Sequence, residues 1–281
     1  RKLCGEKKIG HTGTLDPMAT GVLPILVGKA TRCAPFLDDT DKEYEAEFQL
    51  GLSTDTQDIT GKVVSETPHR VTKADIEAVL PQFRGEIQQL PPMYSAVQID
   101  GKRLYSLARQ GIEVERETRP VTIYQCDLLS FDEETQKGTL RIMCSKGTYV
   151  RTLCSDIASA LGSLGVLTAL RRTVACGFSL QTAMSLDTAR EIVANGGSMA
   201  DHLLPIEAVF ADVPKVLVTE SQAKRFCNGG ALSLERTKIP KSQWLPDATF
   251  RVCSPEDEFL GLGQVDLKNT ELRILRLFYG A

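Results

Sequence analysis

Apolar and polar residues alternate without a break from Glu43 to Leu50. Tyr44, Ala46, Phe48 and Leu50 fall on one face, and Glu43, Glu45, Glu47 and Gln49 on the other. A period of two over that length predicts a half-buried strand of an antiparallel sheet. The same alternation predicts strands over 121–130 and 139–145, joined by turn residues at 132–138. A helical period appears behind Thr72-Lys73-Ala74-Asp75, which has capping-box spacing with Asp in the Glu position. Ile76, Val79, Leu80 and Phe83 then recur at i, i+3, i+4 and i+7, Pro81 frays the last turn, and Gly85 ends it. A second helix is predicted from Val150, Leu153, Cys154, Ile157 and Leu161, capped by Thr148 and stopped at Gly162. Shorter helices are expected over 30–37, weakened by Pro35, and over 186–194. Residues 38–41 read as an acidic polar turn, 51–70 as polar and turn-rich, and Leu170-Arg171-Arg172 as following a Gly-rich linker. Beyond Pro214 the texture changes to short β-like runs at 216–218, 249–252, 259–265 and 273–277, which suggests a small barrel or sandwich.

Composition narrows the class. The chain has 281 residues, 42% hydrophobic and 25% charged, enough for one large and one smaller globular domain. No run approaches the length of a membrane span. The eight cysteines include no C-x-x-C pair and the three histidines are far apart, which reads as reduced thiols, a cytoplasmic setting and no metal site. A net charge of −3 argues mildly against nucleic acid as a partner. Local patches matter more than the total, and basic residues cluster at Lys102, Arg103, Arg109, Arg116 and Arg119, at Arg141, Lys146 and Arg151, and at Arg171 and Arg172. The segment 91–122 therefore reads either as a solvated surface helix and loop or as an insertion that grips a polyanion through its phosphates.

The densest chemistry lies in Gly10-His11-Thr12-Gly13-Thr14-Leu15-Asp16-Pro17-Met18-Ala19-Thr20-Gly21. Three glycines there let the backbone approach a ligand closely, and Asp16 stands ahead of an apolar run. On the residues alone the turn reading is the stronger one, because Asp before Pro initiates turns by bonding its own backbone. Tyr44, Tyr149 and Leu170 alone would be core residues. Arg151 falls in the first turn of its helix, where a cation opposes the dipole, so it calls for an opposed carboxylate or serves as a surface residue.

The loop closely resembles the signature of the TruB family of tRNA pseudouridine synthases. Three further segments fit the same family: Asp41-Lys42-Glu43-Tyr44, Ser145 to Arg151, and Leu170-Arg171-Arg172. With a C-terminal region resembling a short PUA domain, the resemblance covers nearly the whole chain, although the family's N-terminal strand with its Lys-Pro-x-Gly loop has no counterpart here.

The resemblance implies an α+β fold. It would comprise a catalytic domain over 1–212, built on a mixed, largely antiparallel sheet flanked by helices, and a PUA-like RNA-binding β-barrel over 213–281. It also implies catalysis by Asp16 as covalent nucleophile, with Tyr44 and Arg151. Substrate contacts would come from His11, filling the space a flipped base leaves, and from Tyr44, Tyr149 and Leu170. RNA contacts would come from Lys102, Arg103, Arg109, Lys146, Arg171 and Arg172. The partner would be the T-arm of tRNA, modified at uridine 55 by a monomer without guide RNA, cofactor or metal, with tRNA folding as a possible accompanying role. A carboxylate in a water-poor pocket needs an opposed cation to stay ionised, and Arg151 is the candidate. The rival readings are a non-catalytic RNA-binding module and a soluble α+β protein whose loop matches by coincidence.

Overall fold

The computed structural model describes residues 1–37, 40–99 and 101–279. These form two compact units, one of His11–Ile25 with Pro35–Ser185, the other of Arg1–Gly10, Leu26–Ala34 and the chain from Leu186 onward. Asp38 and Asp39, part of the expected acidic turn, lie outside the described residues.

The first unit is built on a seven-stranded sheet. Its strands are β1 (Thr20–Gly21), β2 (Lys42–Leu50), β3 (Gly85–Gln89), β4 (Arg119–Asp132), β5 (Lys137–Cys144), β6 (Gly165–Ala175) and β7 (Phe178–Ser179). The order is β7-β6-β2-β5-β4-β3, antiparallel throughout, with the short β1 running parallel to β6. As the alternation predicts, Tyr44, Ala46, Phe48 and Leu50 of β2 are buried while their neighbours are not. Helices α1 (Lys73–Val79) and α2 (Val150–Ala160) cover that face with Ile76, Leu153 and Ile157 in the main core. The Thr72–Asp75 capping box forms as expected, and Pro81 lies in a 3-10 turn over Leu80–Phe83.

Several expectations are corrected. Thr148 does not cap α2; Tyr149 takes the N-cap position without a side-chain cap, and the Thr148 hydroxyl instead donates to the Ser145 carbonyl at 3.0 Å. The Gly-rich linker is the start of the long strand β6, with Gly165 buried beneath Ala158. The polar stretch 51–70 contains a hairpin, Leu52–Thr54 against Val63–Glu66, whose strands are joined by a series of turns over 55–62. Residues 28–37 form a 3-10 turn over Gly28–Cys33 followed by one helical turn over Ala34–Leu37, where Pro35 is tolerated because it needs no N–H donor there.

The second unit carries α3 (Leu186–Ala194), β8 (Lys215–Leu217), α4 (Glu220–Cys227), β9 (Leu232–Ser233), β10 (Thr249–Cys253), β11 (Phe259–Asp266) and β12 (Glu271–Leu277). Its five strands form one half-barrel sheet in the order β8-β10-β11-β12-β9. Phe226 of α4 closes its core with Val252, Leu260 and Leu272. Helix α4 was not foreseen, although Thr219 and Gln222 form a capping box at its start.

Gly21 shows how tightly the signature loop is set against the sheet. It has φ +103°, and a Cβ there would lie 2.1 Å from the Arg172 carbonyl oxygen. Gly21→Ala is therefore expected to destabilise the protein by about 2–4 kcal/mol, through clash and an unfavourable φ together. Urea unfolding checks this, and a loss below about 0.5 kcal/mol would show that the loop shifts freely.

Candidate active site

The loop is anchored at both ends by one side chain. Arg172 follows Leu170 on the inward face of β6 and is 2% exposed. Its Nε donates to the Val22 carbonyl at 2.8 Å and its NH2 to the Gly13 carbonyl at 3.0 Å, while its own carbonyl accepts from Val22 N–H at 2.8 Å. These bonds correct the expectation that Arg172 meets RNA phosphate, since its guanidinium is enclosed by the loop it supports. Thr12 adds a contact of 3.2 Å between its hydroxyl and the Cys176 thiol.

Within this frame Asp16 does two things. Its carbonyl accepts from Ala19 N–H at 2.9 Å, closing a turn with Pro17 in the second position. The turn reading is thus correct for the backbone, but the carboxylate is directed elsewhere. Arg151 Nε lies 2.9 Å from Asp16 Oδ2, and its NH2 donates to Oδ1 at 3.4 Å. Such a fork fixes both the charge and the direction of the carboxylate. Asp16 keeps 36% side-chain exposure against 5% for Arg151, so the pair has one buried member and one that reaches the surface.

The rest of the guanidinium is also engaged. NH1 donates to the Thr56 carbonyl at 3.0 Å and faces Asp58 Oδ2 at 3.5 Å, and NH2 donates to the Tyr94 carbonyl at 2.9 Å. Asp58 is 6% exposed and its other oxygen accepts from Thr56 Oγ1, Thr60 N–H and Thr60 Oγ1 at 2.9, 3.0 and 2.5 Å. The unfavourable placement of a cation at a helix start is therefore offset by two carboxylates. Nothing in the sequence separates Asp58 from its polar neighbours. Its significance comes from a partner 93 residues away.

Tyr44 is 8% exposed and shares the core cluster with Leu170, against which Met18 and Ala19 of the loop pack. Burial is the main reason its phenol is pushed up to about 12; Cys144 and Asp16 add to the effect, while the charge and hydrogen bond of Arg172 oppose it. The phenol thus stays protonated at neutral pH. Tyr149 is half-buried, held by Gln89, a buried residue absent from the sequence expectations. His11 is exposed at the head of the loop.

Lys102, Arg103, Arg109, Lys146 and Arg171 are all exposed. Arg103 and Arg109 both approach the ring of Tyr105, at 5.9 and 5.5 Å from its centroid. Among the described residues no three His, Cys, Asp or Glu side chains gather as a metal site would require, and no helix is long and apolar enough to cross a membrane.

Fold and site together describe a carboxylate held by a buried arginine on a glycine-rich loop, in a unit built on a large, mostly antiparallel sheet, and a second unit that carries a five-stranded sheet. The family model "TruB family pseudouridylate synthase (N terminal domain)" matches residues 1–150, and "Pseudouridine synthase II TruB, C-terminal" matches residues 214–277. A tRNA pseudouridine synthase B of Syntrophomonas wolfei is 41% identical over 275 residues, covering 96% of this chain and 89% of that one. The protein of that name from Pseudomonas aeruginosa is 43% identical, covering 94% and 85%. Among solved structures, a Cbf5-Nop10-Gar1 complex aligns with TM-score 0.71 at 24% identity, over 98% of this chain and 77% of its own, which shows the same fold. The chain belongs to the TruB family of pseudouridylate synthases, isomerases that make pseudouridine.

Proposed function

We propose that this protein isomerises the T-loop uridine at position 55 of tRNA to pseudouridine, without a guide RNA, using Asp16 as a covalent nucleophile. The observation that carries this reading is the Asp16 carboxylate held by the buried Arg151 fork, with Tyr44 and Leu170 in the adjoining core. Relatives named tRNA pseudouridine synthase B, similar over most of both chains, support tRNA as the substrate. In the reaction the N1–C1′ bond breaks, the base turns over, and C5 bonds to C1′. C5 gives up its hydrogen and N1 regains a proton, so no net redox change occurs. A carboxylate adduct at the ribose C1′ or at the base C6 would divide this into two easier steps.

The base of a folded T-loop is stacked and must first be extruded. Tyr44 offers an aromatic face, and stacking of this kind is worth about 1–3 kcal/mol per base. Its protonated phenol suits a wall or hydrogen-bond donor better than a phenolate base. Tyr149 and Leu170 complete the pocket, and His11 would enter the vacated stack. The exposed cations of the 91–122 segment, with Lys146 and Arg171, would meet phosphates, and the residues beyond 212 would add a PUA-like RNA contact. Any role in folding tRNA would survive loss of the carboxylate.

Release of tritium from a tRNA transcript labelled at uridine C5 tests substrate and guide independence together. The protein alone is expected to release label, and a transcript with cytidine at position 55 is expected to release none. Equal release from both would overturn the position; a requirement for added RNA would overturn guide independence.

A further inference from the structure

We infer that Gln89 is a positioning residue that ties the geometry around Tyr149 and Arg151 to the seating of the segment 90–118, an inference that rests on the reaction proposed above. Gln89 and Arg119 face each other as the last rung between β3 and β4. The chain between them is therefore an excursion closed at its base by that rung, and its described residues include the strand pair Gln98–Ile99 and Lys102–Arg103 and a helical turn over Leu104–Ala108. Gln89 is 1% exposed, and its amide crosses to the start of α2. Its Oε1 accepts from Tyr149 N–H at 2.7 Å, and its Nε2 donates to the Tyr149 carbonyl at 3.0 Å.

A side-chain amide matched on both sides of one residue pairs with it as a neighbouring strand would, and fixes its orientation. Tyr149 is the N-cap of α2 and has no cap of its own, and Arg151 is two residues further on. A buried amide is costly unless both its ends are bonded, and here both are, to the N–H and the carbonyl of one residue. The polar choice is explained by what it holds.

Two further ties bear on the same stretch. Thr122, just beyond the rung, donates to Ser145 Oγ and accepts from Ser145 N–H, both at 2.9 Å. From inside the segment, the Tyr94 carbonyl accepts from Arg151 NH2 at 2.9 Å. Gln89 at one foot, Thr122 three residues beyond the other, and one interior carbonyl thus act on residues 145–151. The segment supports the site as well as reaching for RNA, and Gln89 sets the rate rather than the affinity.

The test uses the full chain carrying Gln89→Met, which keeps the length but removes both bonds, and Gln89→Glu, which keeps the acceptor for Tyr149 N–H. Single-turnover rate at saturating tRNA transcript, dissociation constant and folded fraction are measured for each. Gln89→Met is expected to lower the saturated rate about 10–100-fold, as a small misplacement of a reacting group does. Its dissociation constant is expected to stay within about twofold of wild type, with Gln89→Glu falling between in rate. A saturated rate equal to wild type, a change confined to the dissociation constant, or a rate loss that only tracks the unfolded fraction would overturn the inference. If the methionine variant folds too poorly to assay, the glutamate variant decides, and a wild-type rate from it overturns the inference. An inactive wild-type protein would count against the reaction proposed for the site, whereas an active wild type with an equally active Gln89→Met removes this inference alone.

Discussion

Asp16→Asn is expected to lower pseudouridine formation by at least about 10⁴-fold, the scale seen when a covalent nucleophile is lost. The substitution keeps size and shape, so the turn closed by the Asp16 carbonyl and Ala19 N–H is retained. Arg151 would still hold Asp58 and the carbonyls of Thr56 and Tyr94. Since Asp16 is itself 36% exposed, the folding cost should be about 1 kcal/mol or less. The variant should therefore be folded, bind tRNA about as well as wild type, and fail in chemistry. Parallel measurement of unfolding, tRNA binding and single-turnover rate separates these, and a residual rate within tenfold of wild type would remove Asp16 from the role.

Arg151 is expected to give the opposite balance between chemistry and stability. Arg151 is 4% exposed, and its guanidinium faces two carboxylates and two carbonyls at once. Arg151→Met would leave Asp58 buried without its cation and two carbonyls without a donor. Removing one partner of a buried ion pair costs about 3–5 kcal/mol, so this variant should be clearly destabilised as well as inactive. Arg151→Lys should fold better but still lose about 10²–10³-fold in rate, because an ammonium cannot reproduce the planar fork that orients Asp16. Urea unfolding with single-turnover kinetics reads both effects. An Arg151→Lys enzyme near wild-type rate would show that charge alone, without the fork, suffices.

The parts of this account that were legible in the sequence are those with local signals. The alternation in 43–50 placed Tyr44 inward, and the helical spacing after Tyr149 placed Arg151 in a first turn. The glycine-rich loop marked Asp16, although residues alone favoured the turn, and the structure gives its backbone to the turn and its side chain to Arg151. Arg172 shares the inward face with Leu170 two residues before it, but three buried residues in a row at 165–167 hide the strand's alternation from the sequence. Asp58 and Gln89 were not legible, because their partners lie 93 and 60 residues away and nothing near either marks it out. Helix α4 was missed for a different reason. Its capping box was present at Thr219 and Gln222, but the surrounding β-like texture outweighed it.

The most direct test of the central claim is carbodiimide mapping of pseudouridine in an unmodified tRNA transcript, treated with this protein or with its Asp16→Asn form. The account predicts a single stop at uridine 55 with the wild-type protein and none with the variant. A stop that persists with Asp16→Asn would contradict the assignment of the nucleophile, and stops at other uridines with none at position 55 would contradict the substrate.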